Sequence, residues 1–185
     1  MRVFIDFEAS SLSDNSYPIE VGWVFEDGRE EDHLIRPAEG WTDWSAKAET
    51  IHGIPRAALV ADGEPHDAVA RRMIDALSGH DLLASAPSWD GKWLSVLLRA
   101  AGLPRHALRL HSSKLALEEQ AARLLPDDVA KAERSARSQA LLKVIASDTG
   151  NPAHRALADA RAELERWLAV TECVRDHESR DVERP

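Results

Sequence analysis

VFIDFEASSL, residues 3–12, places two carboxylates inside an apolar run near the start of the chain. Side chains alternate across a β-strand, so Asp6 and Glu8 are expected to point to the same face. Burying two anions side by side is costly unless a cation neutralises them. The stretch therefore predicts a buried strand with a cation site, whose other ligands come from elsewhere in the chain.

The composition of the 185 residues, 44% hydrophobic and 30% charged, is typical of an ordinary globular domain. We expect one domain over residues 1–174 and a flexible charged tail over residues 175–185. No apolar run approaches the ~20 residues of a spanning helix, and the N-terminus lacks the pattern of a signal peptide. With Cys173 as the single cysteine, these features predict a cytoplasmic protein without a membrane partner.

The formal net charge of −9 argues against a protein that coats nucleic acid by bulk electrostatics. Residues 99–143 are the exception, with nine Lys and Arg against five Asp and Glu. Their basic side chains are candidates for contacts with a nucleic-acid backbone, although an ordinary solvated helix surface has the same composition. The candidates are Arg105, Arg109, Lys114, Arg134 and Arg137.

The order of the predicted elements indicates an α/β fold. Two further strands, at residues 17–25 and 32–36, follow the first, and the hairpin signal Asp27-Gly28 joins them. Strands at 81–86 and 107–111 then alternate with helices. This order predicts a mixed five-stranded sheet, three antiparallel strands followed by parallel ones, with helices on both faces. The helices are expected at residues 45–51, 65–78, 92–101, 114–125, 127–147 and 153–174.

The last predicted helix opens with HRALAD, residues 154–159. Positions five apart on a helix differ by about 140°, so His154 and Asp159 share a site only if His154 lies at or before the first turn. Asn151 as a cap and Pro152 near the first helical position agree with such a start. A carboxylate on the helix is then suited to hold a metal, while the imidazole is suited to take a proton from water.

Together these residues resemble the DEDDh 3′-to-5′ exonucleases of the ribonuclease H-like fold. Asp6-Phe7-Glu8 resembles the first motif of that family, Asp90 in a strand-to-helix turn the second, and His154 to Asp159 the third. His52-Gly53-Ile54 between the first two motifs is a further shared feature. The chain departs from the family at Ser10-Ser11, where members often have Thr-Gly, and around Asp90, where they often have an Asn-x-x-Phe-Asp pattern.

The resemblance implies phosphodiester hydrolysis with two divalent cations, Mg²⁺ or Mn²⁺, releasing 5′-mononucleotides from a 3′ end. It makes Asp6, Glu8, Asp90 and Asp159 the metal ligands and His154 the general base. The small size and acidic balance of the chain favour a single-stranded or 3′-overhanging DNA or RNA substrate, including short oligonucleotides, and the resemblance raises a homodimer as an option. The residues that it places against the terminal nucleotide are Ala9, Ser10, Leu12, His52 and Trp89.

Other interpretations of these residues stay open at the level of sequence. Asp90 alone is equally suited to cap a helix, His52 to end one, and Trp89 to fill the core. The dipeptides His66-Asp67 and His80-Asp81 suggest a His-Asp metal phosphohydrolase, but that class is all-helical and this chain opens with three strands. A nuclease fold kept only for binding nucleic acid or a partner is the second alternative, although every catalytic position is filled.

Overall fold

The computed structural model describes residues 1–125, 129–145 and 153–182. Six strands in these ranges form one sheet, and seven helices surround it. The strands are β1 (Arg2–Ala9), β2 (Pro18–Phe25), β3 (Glu30–Arg36), β4 (Glu64–Pro65), β5 (Asp81–Ala84) and β6 (Leu110–Ser112). The helices are α1 (Ala46–His52), α2 (Arg56–Ala61), α3 (His66–Leu77), α4 (Pro87–Ala100), α5 (Ser113–Ala122), α6 (Lys131–Ile145) and α7 (Ala156–Val182).

The sheet has the order β4-β3-β2-β1-β5-β6. β1 pairs antiparallel with β2, and β2 antiparallel with β3, whereas β5 and β6 run parallel to β1. This confirms the predicted mixed α/β sheet with antiparallel strands first and parallel strands second. β1 lies inside the sheet, so both of its edges are paired, one with β2 and the other with β5.

The two faces of the sheet carry separate cores. Val3, Ile5 and Phe7 of β1 pack with α3 and α4, while Phe4 packs on the opposite face with α5 and α7. The alternation of side chains along β1 therefore assigns its odd positions to one layer of helices and its even positions to the other. The prediction of helices on both faces is confirmed.

The prediction of five strands is wrong because it missed β4. Glu64 and Pro65 pair in parallel with Ile35 and Arg36 at the edge of the sheet. A strand of two residues shows no alternation of apolar and polar side chains, and proline is tolerated at a sheet edge because it need not donate to a neighbour. The sequence pattern therefore carried no signal for this strand.

Helix α4 begins five residues earlier than predicted. Pro87, which directly follows the strand predicted at residues 81–86, occupies the start of the helix. Proline is well suited to that position because the first helical N–H groups have no partner within the helix. Asp90 therefore lies in the first turn of α4 rather than in the loop before it.

Helix α7 begins later and ends later than predicted. It continues to Val182, so residues 175–182 of the expected flexible tail are helical. Each added residue extends a helix without a new nucleation step, and a buried Val174 holds the preceding turn on the sheet. The expected loop and cap at residues 148–152 and the last three residues lie outside the described ranges. Among the described residues, no helix is both long and apolar enough to cross a membrane.

Candidate active site

The two carboxylates of the opening strand lie on the face of β1 that α7 covers. Asp6 and Glu8 alternate with the odd-numbered core residues and share their face with Phe4, whose ring packs at 6.3 Å from that of Trp167 in α7. Both acids are only partly exposed. The sequence prediction that they point to one face is therefore confirmed, and the helix beyond that face is the one that carries Asp159.

A close approach between β2 and the first turn of α7 positions that helix. Gly22 is the partner of Asp6 in the β1–β2 ladder. A Cβ atom at Gly22 would lie 2.3 Å from the backbone nitrogen of Leu157 and 2.5 Å from its Cα atom. Only glycine leaves room for the helix here, so Gly22 sets how closely α7 approaches Asp6.

A buried glutamate fixes the same end of α7. Glu20, which faces Glu8 in the ladder, is 1% exposed. Its carboxylate accepts hydrogen bonds from Nε and Nη2 of Arg155, at 3.0 and 2.5 Å, and from the backbone N–H of Ala156 at 2.9 Å. A two-pronged arginine pair with an added backbone donor is a strong and directional arrangement. Glu20 therefore ties the start of the helix to the central strands.

His154 lies immediately before α7 in a backbone conformation that is rare for residues other than glycine, with φ of 52°. Asp159 stabilises this segment, because its two carboxylate oxygens accept from the N–H groups of Ala153 at 2.8 Å and His154 at 3.1 Å. The predicted location of His154 before the first turn is confirmed. As a result, ligand atoms of Glu8, His154 and Asp159 lie within 4.8 Å of one another.

Asp90 approaches the site from α4, which lies on the face of the sheet opposite α7. Its side chain is 2% exposed, and its Oδ2 accepts from the backbone N–H of Ala86 at 3.3 Å. Burial raises the pKa of Asp90 to about 7, against the lowering effect of hydrogen bonds from the backbone of Ala86 and Phe7. The alternative interpretation of Asp90 as the N-cap is wrong, because Ala86 occupies that position and Asp90 lies within the first turn. The charge of Asp90 instead acts on Asp6, whose pKa it raises.

The acids of the site repel one another. Burial, followed by the charges of Asp90, Glu8 and Asp159, raises the pKa of Asp6 to about 9. Burial, then Asp159 and Glu20, raise the pKa of Glu8 to about 7, against the lowering effect of Arg155. No lysine or arginine in the described ranges forms an ion pair with Asp6, Glu8, Asp90 or Asp159. This donor set fits divalent cations, which would supply the missing positive charge.

Two of the five residues predicted to contact substrate are exposed beside the site. Leu12 is 71% exposed just after β1, and Trp89 is 37% exposed in the first turn of α4. Lys92 connects these segments, since its ammonium donates to the carbonyl of Ser13 and lies 5.0 Å from the centre of the Trp89 ring. Leu12 and Trp89 therefore lie on adjoining segments.

The other three predicted contact residues are buried. Ala9 lies in the core, and the Ser10 hydroxyl already donates to Asp43 at 3.1 Å and accepts from the N–H of Tyr17. His52 is 5% exposed, and its Nδ1 accepts from the N–H of Ile54 at 3.0 Å. Its Nε2 has no hydrogen-bond partner within the described ranges. The burial of His52 leaves its ring little surface for stacking on a base.

Sequence reasoning missed the residues that position the site, namely Glu20, Gly22, Asp43 and Arg155. One signal was available: Glu20 and Gly22 interrupt one face of an otherwise apolar strand, which is unusual for a central strand. Asp43 had no such signal, because it acts through a loop. Its carboxylate accepts from the hydroxyls of Ser10, Ser11 and Ser13 and so holds the segment after β1.

The His-Asp dipeptides do not form a second metal site. His66 packs near Trp41 while Asp67 pairs with Arg71, and His80 packs against Phe25. Within the described part of the chain, Glu8, His154 and Asp159 are the one group arranged to hold a metal.

Comparison with known proteins supports the fold. No protein-family model matches the chain, and no curated protein matches it. Several solved structures do match the chain. A moderately thermophilic Exonuclease I from Methylocaldum szegediense has a TM-score of 0.66 and 16% sequence identity, over 92% of this chain and 40% of that one. The zinc-ion-bound form of the E. coli Exonuclease I–ssDNA complex has a TM-score of 0.66 and 19% identity, over 95% of this chain and 42% of that one.

The nuclease domain of 3′hExo, a DEDDh family member, bound to rAMP, is also similar, with a TM-score of 0.65 and 16% identity. The match covers 93% of this chain and 92% of that domain. The chain therefore spans about two fifths of the Exonuclease I structures but almost all of this nuclease domain. Six strands in the observed order, a site on the central strand and these three likenesses agree: the chain has the fold of the DEDDh-type 3′-to-5′ exonucleases.

Proposed function

We propose that the protein is a metal-dependent 3′-to-5′ exonuclease that hydrolyses phosphodiester bonds of single-stranded or 3′-overhanging DNA or RNA, including short oligonucleotides. The observation that carries this proposal is the clustering of Glu8, His154 and Asp159 within 4.8 Å, beside the buried Asp6. The fold likeness supports it, since two of the similar structures contain ssDNA or rAMP. A homodimer and a cytoplasmic location stay predictions.

Two divalent cations, Mg²⁺ or Mn²⁺, suit the donor set because these ions prefer carboxylate oxygens. Asp6, Glu8, Asp90 and Asp159 are the residues that we assign as their ligands. Ions bound there supply positive charge that stabilises the charge developing on the phosphate.

His154 is the general base in this proposal. Its backbone is held by Asp159, and its imidazole is exposed and close to Glu8. The imidazole accepts the proton of the attacking water as the new bond to phosphorus forms. The bond from phosphorus to the 3′ oxygen of the preceding nucleotide breaks, and that oxygen keeps the electron pair and takes a proton from solvent. The phosphate therefore stays on the 5′ oxygen of the released mononucleotide.

Leu12 and Trp89 are assigned to the base of the terminal nucleotide. Stacking on an aromatic side chain contributes about 1–3 kcal/mol per base. Ala9 and Ser10 form the wall behind the nucleotide through their backbone, because the Ser10 hydroxyl is held by Asp43. We assign His52 a supporting role rather than a stacking one, because it is 5% exposed and its Nδ1 accepts from the N–H of Ile54.

The test uses 5′-labelled DNA and RNA oligonucleotides incubated with Mg²⁺ or Mn²⁺. The wild type is expected to give a ladder that shortens from the 3′ end, and Asp6→Ala and His154→Ala are expected to abolish it. Asp14→Ala, which changes an exposed acid in the β1–β2 loop, is the matched control and is expected to retain activity. A wild type that leaves every substrate intact with either ion would refute the enzyme and favour a binding module.

A further inference from the structure

A groove lined by arginines lies beside the turn of α4 that carries Asp90. It runs between α4 and the segment leading into β6, has a volume of about 460 Å³, and is lined by Pro87 and Gly91 on one side and by Arg105, His106 and Arg109 on the other. We call it the basic groove. Neither an aspartate nor a glutamate lines it.

The arginines of the basic groove differ from the other exposed arginines around the sheet. Arg109 forms no ion pair within the described ranges, and Arg105 donates only to a histidine, from its Nε to Nε2 of His106 at 2.8 Å. By contrast, many other exposed arginines have a carboxylate partner. These include Arg29 with Asp27, Arg71 with Asp67, Arg72 with Glu31, Arg155 with Glu20 and Arg161 with Glu30.

The basic groove and the candidate active site share the first turn of α4. Gly91 lines the groove and directly follows Asp90, and Pro87 opens the same turn of the helix. Trp89, assigned to the terminal base, belongs to that turn as well. A strand that leaves the site over this turn would reach the groove on the other side of it.

We propose that the basic groove binds the phosphate backbone of a single-stranded nucleic acid, upstream of the 3′ nucleotide. This inference rests on the proposed function, and it names where the remainder of the substrate lies. Guanidinium groups match phosphate oxygens with paired hydrogen bonds, and unpaired arginines in an acidic protein are complementary to a polyanion. Its volume of about 460 Å³ is within the range of ordinary ligand sites.

Of the five basic residues predicted as backbone contacts, Arg105 and Arg109 are the two that line the groove. The other three have contacts within the helices: Lys114 lies 4.0 Å from Glu118, Arg134 donates to the carbonyl of Ala122, and Arg137 pairs with Glu133. The inference therefore assigns only the first two to nucleic acid.

The test is fluorescence anisotropy of a labelled single-stranded oligonucleotide, measured in EDTA so that no hydrolysis occurs. The double variant Arg105→Ala/Arg109→Ala is expected to bind about tenfold more weakly. The slope of log affinity against log salt is expected to become less steep by about 1.4, because each lost phosphate contact removes about 0.7. The control Arg29→Ala/Arg71→Ala removes the same charge outside the groove and is expected to bind like the wild type.

A second pair of variants tests the position of the strand without removing an arginine. A Cβ atom at Gly91 meets no atom within 4 Å, so larger side chains can enter the groove there without a clash. Gly91→Glu is expected to weaken binding more than its neutral counterpart Gly91→Gln, because it adds a negative charge where phosphate is expected.

Three results would overturn the inference: a wild type that does not bind, groove variants that bind as tightly as the control, or polyglutamate that displaces the oligonucleotide as well as unlabelled oligonucleotide does. The last would mean a general anion site. Failure of the proposed function gives a different pattern, in which groove variants bind weakly as expected while the wild type, supplied with Mg²⁺ or Mn²⁺, cleaves nothing.

Discussion

Asp6 is the residue whose environment is least favourable to its own charge. Burial raises its pKa to about 9, and the neighbouring acids Asp90, Glu8 and Asp159 add to the effect. A strand interior normally excludes such a group, so its presence costs stability in the metal-free protein. Functional sites often lower the stability of the folded protein in this way, because the reaction requires a side chain whose burial is unfavourable.

Replacing Asp6 with asparagine is therefore expected to stabilise the metal-free protein. The change removes a carboxyl that must take up a proton on folding at neutral pH and keeps the side-chain shape, for an expected gain of about 2 kcal/mol, or about 4–8 °C for a domain of this size. Thermal unfolding in EDTA measures it. Asp14→Asn, an exposed counterpart, is expected to leave the melting temperature unchanged. A melting temperature of Asp6→Asn below that of the wild type would show that the Asp6 carboxylate is not repelled.

The sign of the pH dependence follows from the same group. A carboxyl whose pKa rises on folding takes up a proton, so its contribution to stability is present below the unfolded value of 3.8 and is lost as pH rises toward about 9. The melting temperature of the metal-free wild type should therefore fall over this range more steeply than that of Asp6→Asn. Saturating Mn²⁺ should stabilise the wild type and have a smaller effect on the variant.

Glu20 provides the second prediction at the scale of residues. Glu20→Ala removes four hydrogen bonds that hold the start of α7, three of them from Arg155. We expect a loss of about 2 kcal/mol in the free energy of unfolding, with weaker Mn²⁺ binding because His154 and Asp159 lose their support. Chemical denaturation and Mn²⁺ titration measure the two effects.

Glu30→Ala is the matched control for Glu20→Ala. It breaks the exposed pair between Glu30 and Arg161, which joins the same helix to the next strand. Exposed pairs contribute little to stability, so we expect little change in either measurement. Equal effects of the two substitutions would mean that burial of Glu20 is irrelevant to how α7 is held.

At the scale of elements, the packing of α7 on β2 determines the position of Asp159. Gly22→Ala forces a Cβ atom to within 2.3 Å of the backbone of Leu157, so the helix must shift. We expect a loss of more than about 3 kcal/mol of stability and of most Mn²⁺ binding. Denaturation curves and Mn²⁺ titration test this.

Gly91→Ala is the control for that substitution, because the same change occurs in an open helical position. We expect it to stabilise the protein by up to about 1 kcal/mol, as alanine favours a helix more than glycine does. If Gly22→Ala were tolerated as well as Gly91→Ala, the close approach of α7 would not be a requirement of the fold.

The positions of elements could be predicted from the sequence where a local rule determines them, and could not be predicted where tertiary contacts determine them. The spacing of His154 and Asp159 required the histidine to lie before the helix, and it does. Pro87 had two local interpretations, the end of a strand or the start of a helix, and only the packing of α4 separates them. The anchoring of Arg155 by Glu20 joins residues far apart in the chain, so no local pattern indicates it.

At the scale of the whole molecule, the order of apolar runs was enough to predict a mixed sheet between two layers of helices. It was not enough to predict β4, whose two residues pair only because the edge of β3 is free to accept them. The basic side chains of residues 99–143 were predicted together as candidate contacts with a nucleic-acid backbone, yet folding separates them. Two of its candidate arginines line a groove next to the acidic site, and the other candidates contact helices.

The acidic residues assigned to metal and the arginines assigned to nucleic acid therefore lie at separate sites. The acids that we assign to metal lie on the central strand and near the starts of α4 and α7. The basic groove lies between α4 and the segment leading into β6. An acidic protein can then bind a polyanion, because cations and arginines offset the negative charge where the strand lies.

The polarity of hydrolysis tests the proposed activity most directly. An oligonucleotide with one label at its 5′ end and a second on its 3′-terminal nucleotide is incubated with the protein and Mn²⁺, and products are separated over time. We expect the 3′ label to leave first, as a mononucleotide, while the 5′ label stays on steadily shorter chains. Release of the 5′ label first, internal cleavage, or an unchanged substrate with both Mg²⁺ and Mn²⁺ would contradict a 3′-to-5′ exonuclease.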